Sequence, residues 1–155
     1  MPRKRPGALR ALQTIKRPVS GELPRHIRGL SLRTVLAVHR AELLSQDYPL
    51  YPGATDAALR RFRKFLEPAG SRPLYPRAAR CPCPPCAIDD VRHARDVLHT
   101  VLGLLPVRER AELRRLIRPL DSLYRRRTLP NPFADHRHWH HEFWWHRRLL
   151  EGTEA

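Results

Sequence analysis

Residues 88–124, IDDVRHARDVLHTVLGLLPVRERAELRRLIRPLDSLY, carry two helical repeats separated by a short join. In the first repeat Ile88, Val91, Ala94, Leu98, Val101, Leu102 and Leu105 recur at three- and four-residue spacing, which lines one face of an α-helix. Gly103 is expected to close this helix and Pro106 to open the next, because the fixed φ of proline suits the first helical position. In the second repeat Leu113, Leu116, Ile117 and Leu120 share one face, while Arg110, Arg114 and Arg118 stack at i, i+4 and i+8 on another. Pro119 lacks an N–H and crowds the preceding turn, so it is expected to end or kink this helix before Leu123 and Tyr124 resume the stripe. The GLLP join is short enough for the two helices to pair antiparallel.

Two earlier helices are readable by the same spacing. Ser31 can cap a helix reaching Gln46, with Leu32, Val35, Leu36, His39 and Leu43 on its apolar stripe; His39 is expected to be a packed core residue there. The loop DYPLYPGA, 47–54, follows, and Thr55 is expected to cap a second helix whose apolar face is Leu59, Phe62, Phe65 and Leu66. Its opposite side bears Arg60, Arg61, Arg63 and Lys64. That loop is too long for a tight helix-turn-helix, which uses about three or four residues. Pro-rich linkers punctuate the rest. The expectation is a mainly α protein, a small bundle of four to five helices, with a basic flexible arm at 1–28, disordered when free, a single helical domain at 29–150 and a tail at 151–155.

Residues 104–113, LLPVRERAEL, resemble the LPxRERxxL opening of region four of bacterial sigma factors. That resemblance would imply a promoter-binding helix-turn-helix downstream, but the chain continues RPLDSLYRRRTLPNP. The likeness covers about ten residues, and no function is carried from it.

The chain has 155 residues with 30 Lys and Arg against 15 Asp and Glu, a formal net charge of +15. Such an excess favours a polyanionic partner such as nucleic acid or an acidic surface. All but Lys4, Lys16 and Lys64 of the basic residues are arginine, which GC-rich codon usage alone would favour, although it does not explain why acids are outnumbered two to one. Residues 1–21 hold no acid and six basic side chains. No run of about 18 uncharged apolar residues exists, so no membrane-spanning helix is expected. An odd count of three cysteines makes a poor disulfide framework, which points to a reducing, cytoplasmic setting.

Cys81, Cys83 and Cys86 form C-x-C-x-x-C in a knuckle, 81–86, stiffened by Pro82, Pro84 and Pro85. Thiolates gathered this tightly suit a tetrahedral structural zinc, with a Zn–S distance of about 2.3 Å. If a helix begins near Cys86, Asp90 and His93 share its face at i+4 and i+7, and His93 is the candidate fourth ligand; a histidine from the C-terminal cluster is an equal donor. Redox-active thiols are the alternative, weakened by the absence of a strand pattern before the motif, and an iron–sulfur cluster ranks third because it needs a fourth cysteine.

Residues 135–150, DHRHWHHEFWWHRRLL, hold five of the nine histidines and all three tryptophans. Read as a helix capped by Asp135, they place His138, Glu142 and His146 on one stripe, an alternative metal set. The metalloprotease H-E-x-x-H is not present, because three residues rather than two follow His141-Glu142. Trp139, Phe143 and Leu150 are expected to pack on the preceding helices, leaving Trp144 or Trp145 partly outward, with core closure preferred over base stacking.

The resulting functional expectation is a non-enzymatic, zinc-stapled basic module that binds nucleic acid, DNA or RNA, through Arg60, Arg61, Arg63, Lys64, Arg110, Arg114, Arg118 and the cluster Arg125, Arg126, Arg127. A protein-interaction or regulatory subunit, using the Trp-rich tail and arginines against an acidic partner, is the alternative. A metal-dependent hydrolase on His138, Glu142 and His146 comes last, since no nucleophile setting or phosphate loop accompanies it.

Overall fold

The computed structural model describes residues 25–45, 49–78, 87, 89–134 and 141–152. Among them the fold is mainly helical: α1 (Leu32–Leu44), α2 (Ala54–Leu66), α3 (Val91–Leu104) and α4 (Val107–Arg127), followed by a 3-10 segment at His141–His146. No strand is present among the described residues; one isolated antiparallel bridge joins Pro130 to Arg148. No described helix is long and apolar enough to cross a membrane. The cysteine knuckle, His138 and Trp139 lie outside the described residues.

Helix α1 starts where its cap predicts, with the Ser31 hydroxyl accepting from the Thr34 amide at 3.3 Å. Its buried face, however, is Thr34, Val35, Val38 and Glu42, so the stripe read through Leu32, Leu36 and Leu43 is rotated; Leu32 is 68% exposed. The rotation has a polar cause. Thr34 donates to Glu112 of α4, and the Glu42 carboxylate accepts the amides of Gly53 and Thr55, each at 2.7 Å. Glu42 thereby caps α2 from a neighbouring helix, satisfying amide groups that a helix start leaves open. Thr55 is therefore not the cap. It lies within α2, whose N-cap position is Gly53 in the left-handed conformation at φ 86°.

Helix α2 packs most extensively against α3, burying Leu59, Phe62 and Leu66 as its spacing implies. Helix α3 begins at Val91 with Asp90 as N-cap, not near position 86, and ends at Leu104, one residue past Gly103. Pro119 does not end α4, which runs 21 residues through it. That continuity also removes the turn a sigma-type helix-turn-helix would need after the LLPVRERAEL stretch.

Helices α3 and α4 pair antiparallel, as the short join allows: Arg95, in the second turn of α3, makes a two-point ion pair with Asp121, toward the end of α4, at 2.8 and 3.0 Å. Leu98, Val101, Leu105, Leu113, Ile117 and Tyr124 fill the space between the helices, joined by Ile27 and Leu30 from the segment before α1.

The C-terminal stretch departs most from expectation. Residues 141–146 form a 3-10 turn broken at Phe143 (φ −97°, ψ 42°), not part of an α-helix over 135–150, so the spacing that placed Glu142 and His146 on one stripe does not exist. Tertiary contacts override the helical pattern. Trp145 is buried to 1% exposure and packs edge-on against Trp144 and Phe143. Beyond it the chain is extended: Asn131 donates to Arg147, Leu149 to Leu129, and Glu151 to Pro76 through backbone amides. Arg148 reinforces the join with bonds to Thr128 Oγ1 and to the carbonyls of Arg125 and Thr128.

Candidate nucleic-acid interface

The buried stripe of α4 sets where its charges go. At about 100° per residue, Leu113, Ile117 and Tyr124 facing the core turn Arg108, Arg115 and Arg126 to the opposite pole. Arg114, Arg118 and Arg125 flank that pole, and all six are exposed. The helix also carries three acids, and each is turned off this arc and engaged. Glu109 is buried and accepts from Arg33 Nε at 2.5 Å. Glu112 accepts the Ser31 amide at 2.5 Å, its hydroxyl at 2.8 Å and the Thr34 hydroxyl at 2.5 Å. Asp121 is held by Arg95.

These contacts hold both glutamates below the usual carboxylate range. For Glu112 the Thr34 hydroxyl is the main cause, followed by the Ser31 amide; for Glu109 its own backbone amide leads, with Arg33 adding to it. Glu109 and Glu112 are thus ionised at neutral pH but engaged internally, and Asp121 is paired with Arg95. What remains on the solvent face is a run of arginine from Arg108 to Arg126, about 27 Å long at 1.5 Å per residue.

The ten basic residues singled out from the sequence divide by role. Arg114, Arg118, Arg125 and Arg126 are exposed on this face, although Arg125 also lies over the Trp144 ring at 4.0 Å. Arg110 and Arg127 are clamps instead. Arg110 donates to the carbonyls of Leu105 (2.8 Å) and Gly103 (3.3 Å) at the end of α3, where a cation also meets the negative end of the helix dipole. Arg127 donates to the carbonyls of Pro68 and Arg72, tying the 67–78 linker to α4. On α2, Arg60 and Lys64 are exposed, Arg61 and Arg63 half-buried, and Arg60 pairs with Asp56 one turn back. Arg108 and Arg115 were missed, although the phase of Leu113, Ile117 and Tyr124 already places them opposite the core.

The histidines sort differently. His146 Nε2 lies 2.8 and 3.0 Å from the two oxygens of Asp96, which also accepts the Trp145 indole N–H at 2.7 Å. His93 and His99, both on α3, have pKa values pushed below the ordinary histidine range, in each case chiefly by burial, with Arg61 adding to the effect at His93 and Arg95 at His99. Glu142 is exposed. Among the described residues no three His, Cys, Asp or Glu side chains gather as a metal site.

Compared with models of protein families, with curated proteins and with solved structures, the chain matches none.

Proposed function

We propose that the protein is a non-enzymatic basic helical module that binds nucleic acid through the solvent face of α4. The observation that supports this reading is the segregation of charge on that helix: six exposed arginines on one arc, and all three acids turned away and engaged by partners. A linear array of guanidinium groups on a rigid helix neutralises successive phosphates and releases their counterions. The rival reading, a subunit anchored by its tryptophans, loses Trp145 to the core, and Trp144 is half-buried beneath Arg125.

The test is binding to duplex DNA, structured RNA and heparin, each across a salt series. Log affinity should fall linearly with log salt at about −0.9 per neutralised phosphate, and the triple variant R114Q/R115Q/R118Q should flatten that slope by about three. Equal, weak binding to all three polymers, unchanged in the variant, overturns the proposal.

The same module is proposed to be stapled by a structural zinc on Cys81, Cys83 and Cys86. The thiol spacing supports this, and His93, half-buried in the first turn of α3, is the candidate fourth ligand, with a histidine of the C-terminal cluster as an equal donor. Near-stoichiometric zinc in tag-free protein is the expected result. Absence of zinc, with all three thiols alkylated under native conditions, overturns it.

A further inference from the structure

Between α3 and α4 lies a cavity of about 370 Å³ whose walls include Arg95, His99, Arg110, Arg114, Arg118 and Asp121. Four guanidinium groups face one carboxylate there. Asp121 is committed to Nε and Nη2 of Arg95, so that pair is internally balanced and three arginine charges are left over. Arg110 is held in place by the carbonyls of Leu105 and Gly103, neutral acceptors that orient the cation without cancelling its charge.

A second, independent observation concerns Arg95. Its side chain is only 8% exposed, with the guanidinium centred 4.3 Å over the Trp145 ring, yet its Nη1 is enclosed with no hydrogen-bond partner among the described residues. Enclosed donors are ordinarily satisfied, and leaving one unpaired is costly. The walls also include the edge of Leu102, with the buried Ile117 beneath, beside the cation cluster. Arginine recognises tetrahedral oxyanions through paired N–H donors, and a cavity of this size exceeds what a bare phosphate fills.

We propose that this cavity is a binding site for a phosphate monoester: the phosphate is taken by Arg114 and Arg118 from α4, with Arg110 behind them and Arg95 at the floor, while a small organic group rests against Leu102 and Gly103. The site is separate from the polyanion reading in what it needs. The two share Arg114 and Arg118, but a surface array needs charge along a helix, whereas this site needs the recess between α3 and α4.

Gly103 separates the two experimentally. It lines the cavity, has no left-handed backbone requirement, and a Cβ built on it meets nothing within 4 Å. Gly103→Phe therefore places a ring at the cavity without backbone strain and removes no arginine, and it lies away from Arg108, Arg115, Arg125 and Arg126, which do not line the cavity; Gly103→Ala is the control. Ribose 5-phosphate, ribose and inorganic phosphate are titrated calorimetrically into the full chain at physiological salt. Saturable binding of ribose 5-phosphate, at least tenfold tighter than ribose, retained in Gly103→Ala and reduced at least tenfold in Gly103→Phe, is expected. Asp121→Asn, which leaves Arg95 uncompensated, should tighten it. Equal affinity for ribose and its phosphate, no saturation, or indifference to Gly103→Phe overturns the proposal. An oligonucleotide bearing a 5′-phosphate, set against its 5′-hydroxyl counterpart in competition with ribose 5-phosphate, distinguishes a nucleic-acid end from a free phosphate ester as the source of the group. Duplex binding by Gly103→Phe should persist with a steep salt slope, carried by Arg108, Arg115, Arg125 and Arg126 outside the cavity, so loss of the cavity site and failure of the surface reading are told apart.

Discussion

The indole N–H of Trp145 donates to Asp96 on α3 at 2.7 Å, fastening the C-terminal segment to the middle of the bundle. The bond is short and its acceptor charged, while the ring itself fills core space against Tyr124's neighbour Trp144 and beneath Arg95. Trp145→Ala removes both contributions and should cost about 3–5 kcal/mol, the range for deleting a buried aromatic. Asp96→Asn should cost less, because the amide oxygen still accepts the indole. Urea denaturation of both variants checks the order, and a Trp145→Ala loss below about 1 kcal/mol would mean that the tail does not belong to the core.

Glu42 offers a second stability test. Both carboxylate oxygens are used, one by the Gly53 amide and one by the Thr55 amide, and the side chain is buried. Charge-assisted bonds of this kind contribute about 1.5–3 kcal/mol each. Glu42→Gln keeps one acceptor and sets an NH2 group against an amide donor, so it should be clearly destabilising; Glu42→Ala should be at least as costly. A neutral Glu42→Gln would mean that α2 is capped by other groups.

Gly29 adopts φ +94°, and a Cβ there would stand 3.0 Å from Leu116 Cδ1. Two costs therefore coincide, a left-handed backbone and a close contact with α4. Gly29→Ala should destabilise by about 1–2 kcal/mol, whereas Gly103→Ala, in open space inside a helix, should stabilise by up to about 1 kcal/mol. Thermal melts of the two variants should move in opposite directions.

Acid should weaken the fold in two stages. His99 has a folded pKa below its unfolded value, chiefly through burial and next through Arg95, with Glu142 and Asp96 opposing. The folded state therefore binds protons less readily, and this contribution, full above the unfolded pKa of about 6.5, is lost as pH falls toward and through the folded value. Glu112 and Glu109 follow with the same sign below an unfolded pKa of about 4.3, as Ser31, Thr34 and Arg33 lose ionised acceptors. Chemical denaturation at pH 7.5, 5.5 and 3.5 should show stability falling at each step, and Glu112→Gln should flatten the second. Stability that rises on acidification would contradict these signs.

Helical class was legible because Val91, Leu98, Val101 and Leu105, like Leu113 and Ile117, repeat at 3.6-residue spacing and need only an apolar partner. The arginine face of α4 was half legible: Arg114 and Arg118 were seen, while Arg108 and Arg115 required the rotational phase of the buried stripe to be applied to charges. The roles of Arg110 and Arg127 were hidden, since nothing local marks a guanidinium that bonds to carbonyls of another element.

Periodicity is a local property, and it determined that this chain makes amphipathic helices, where four of them lie, and that a large positive charge must be carried outside their core. What polar side chains do is a long-range property. Glu42 capping α2, Asp96 gathering Trp145 and His146, and Glu112 meeting Ser31 and Thr34 each join residues that only packing brings together. Those partnerships rotated α1, moved the cap of α2 and gave, in place of an α-helical tail, a 3-10 turn at His141–His146 with extended chain beyond it. Hydrogen bonds to charged groups, formed only on assembly, outweigh the few tenths of a kcal/mol by which local propensities differ.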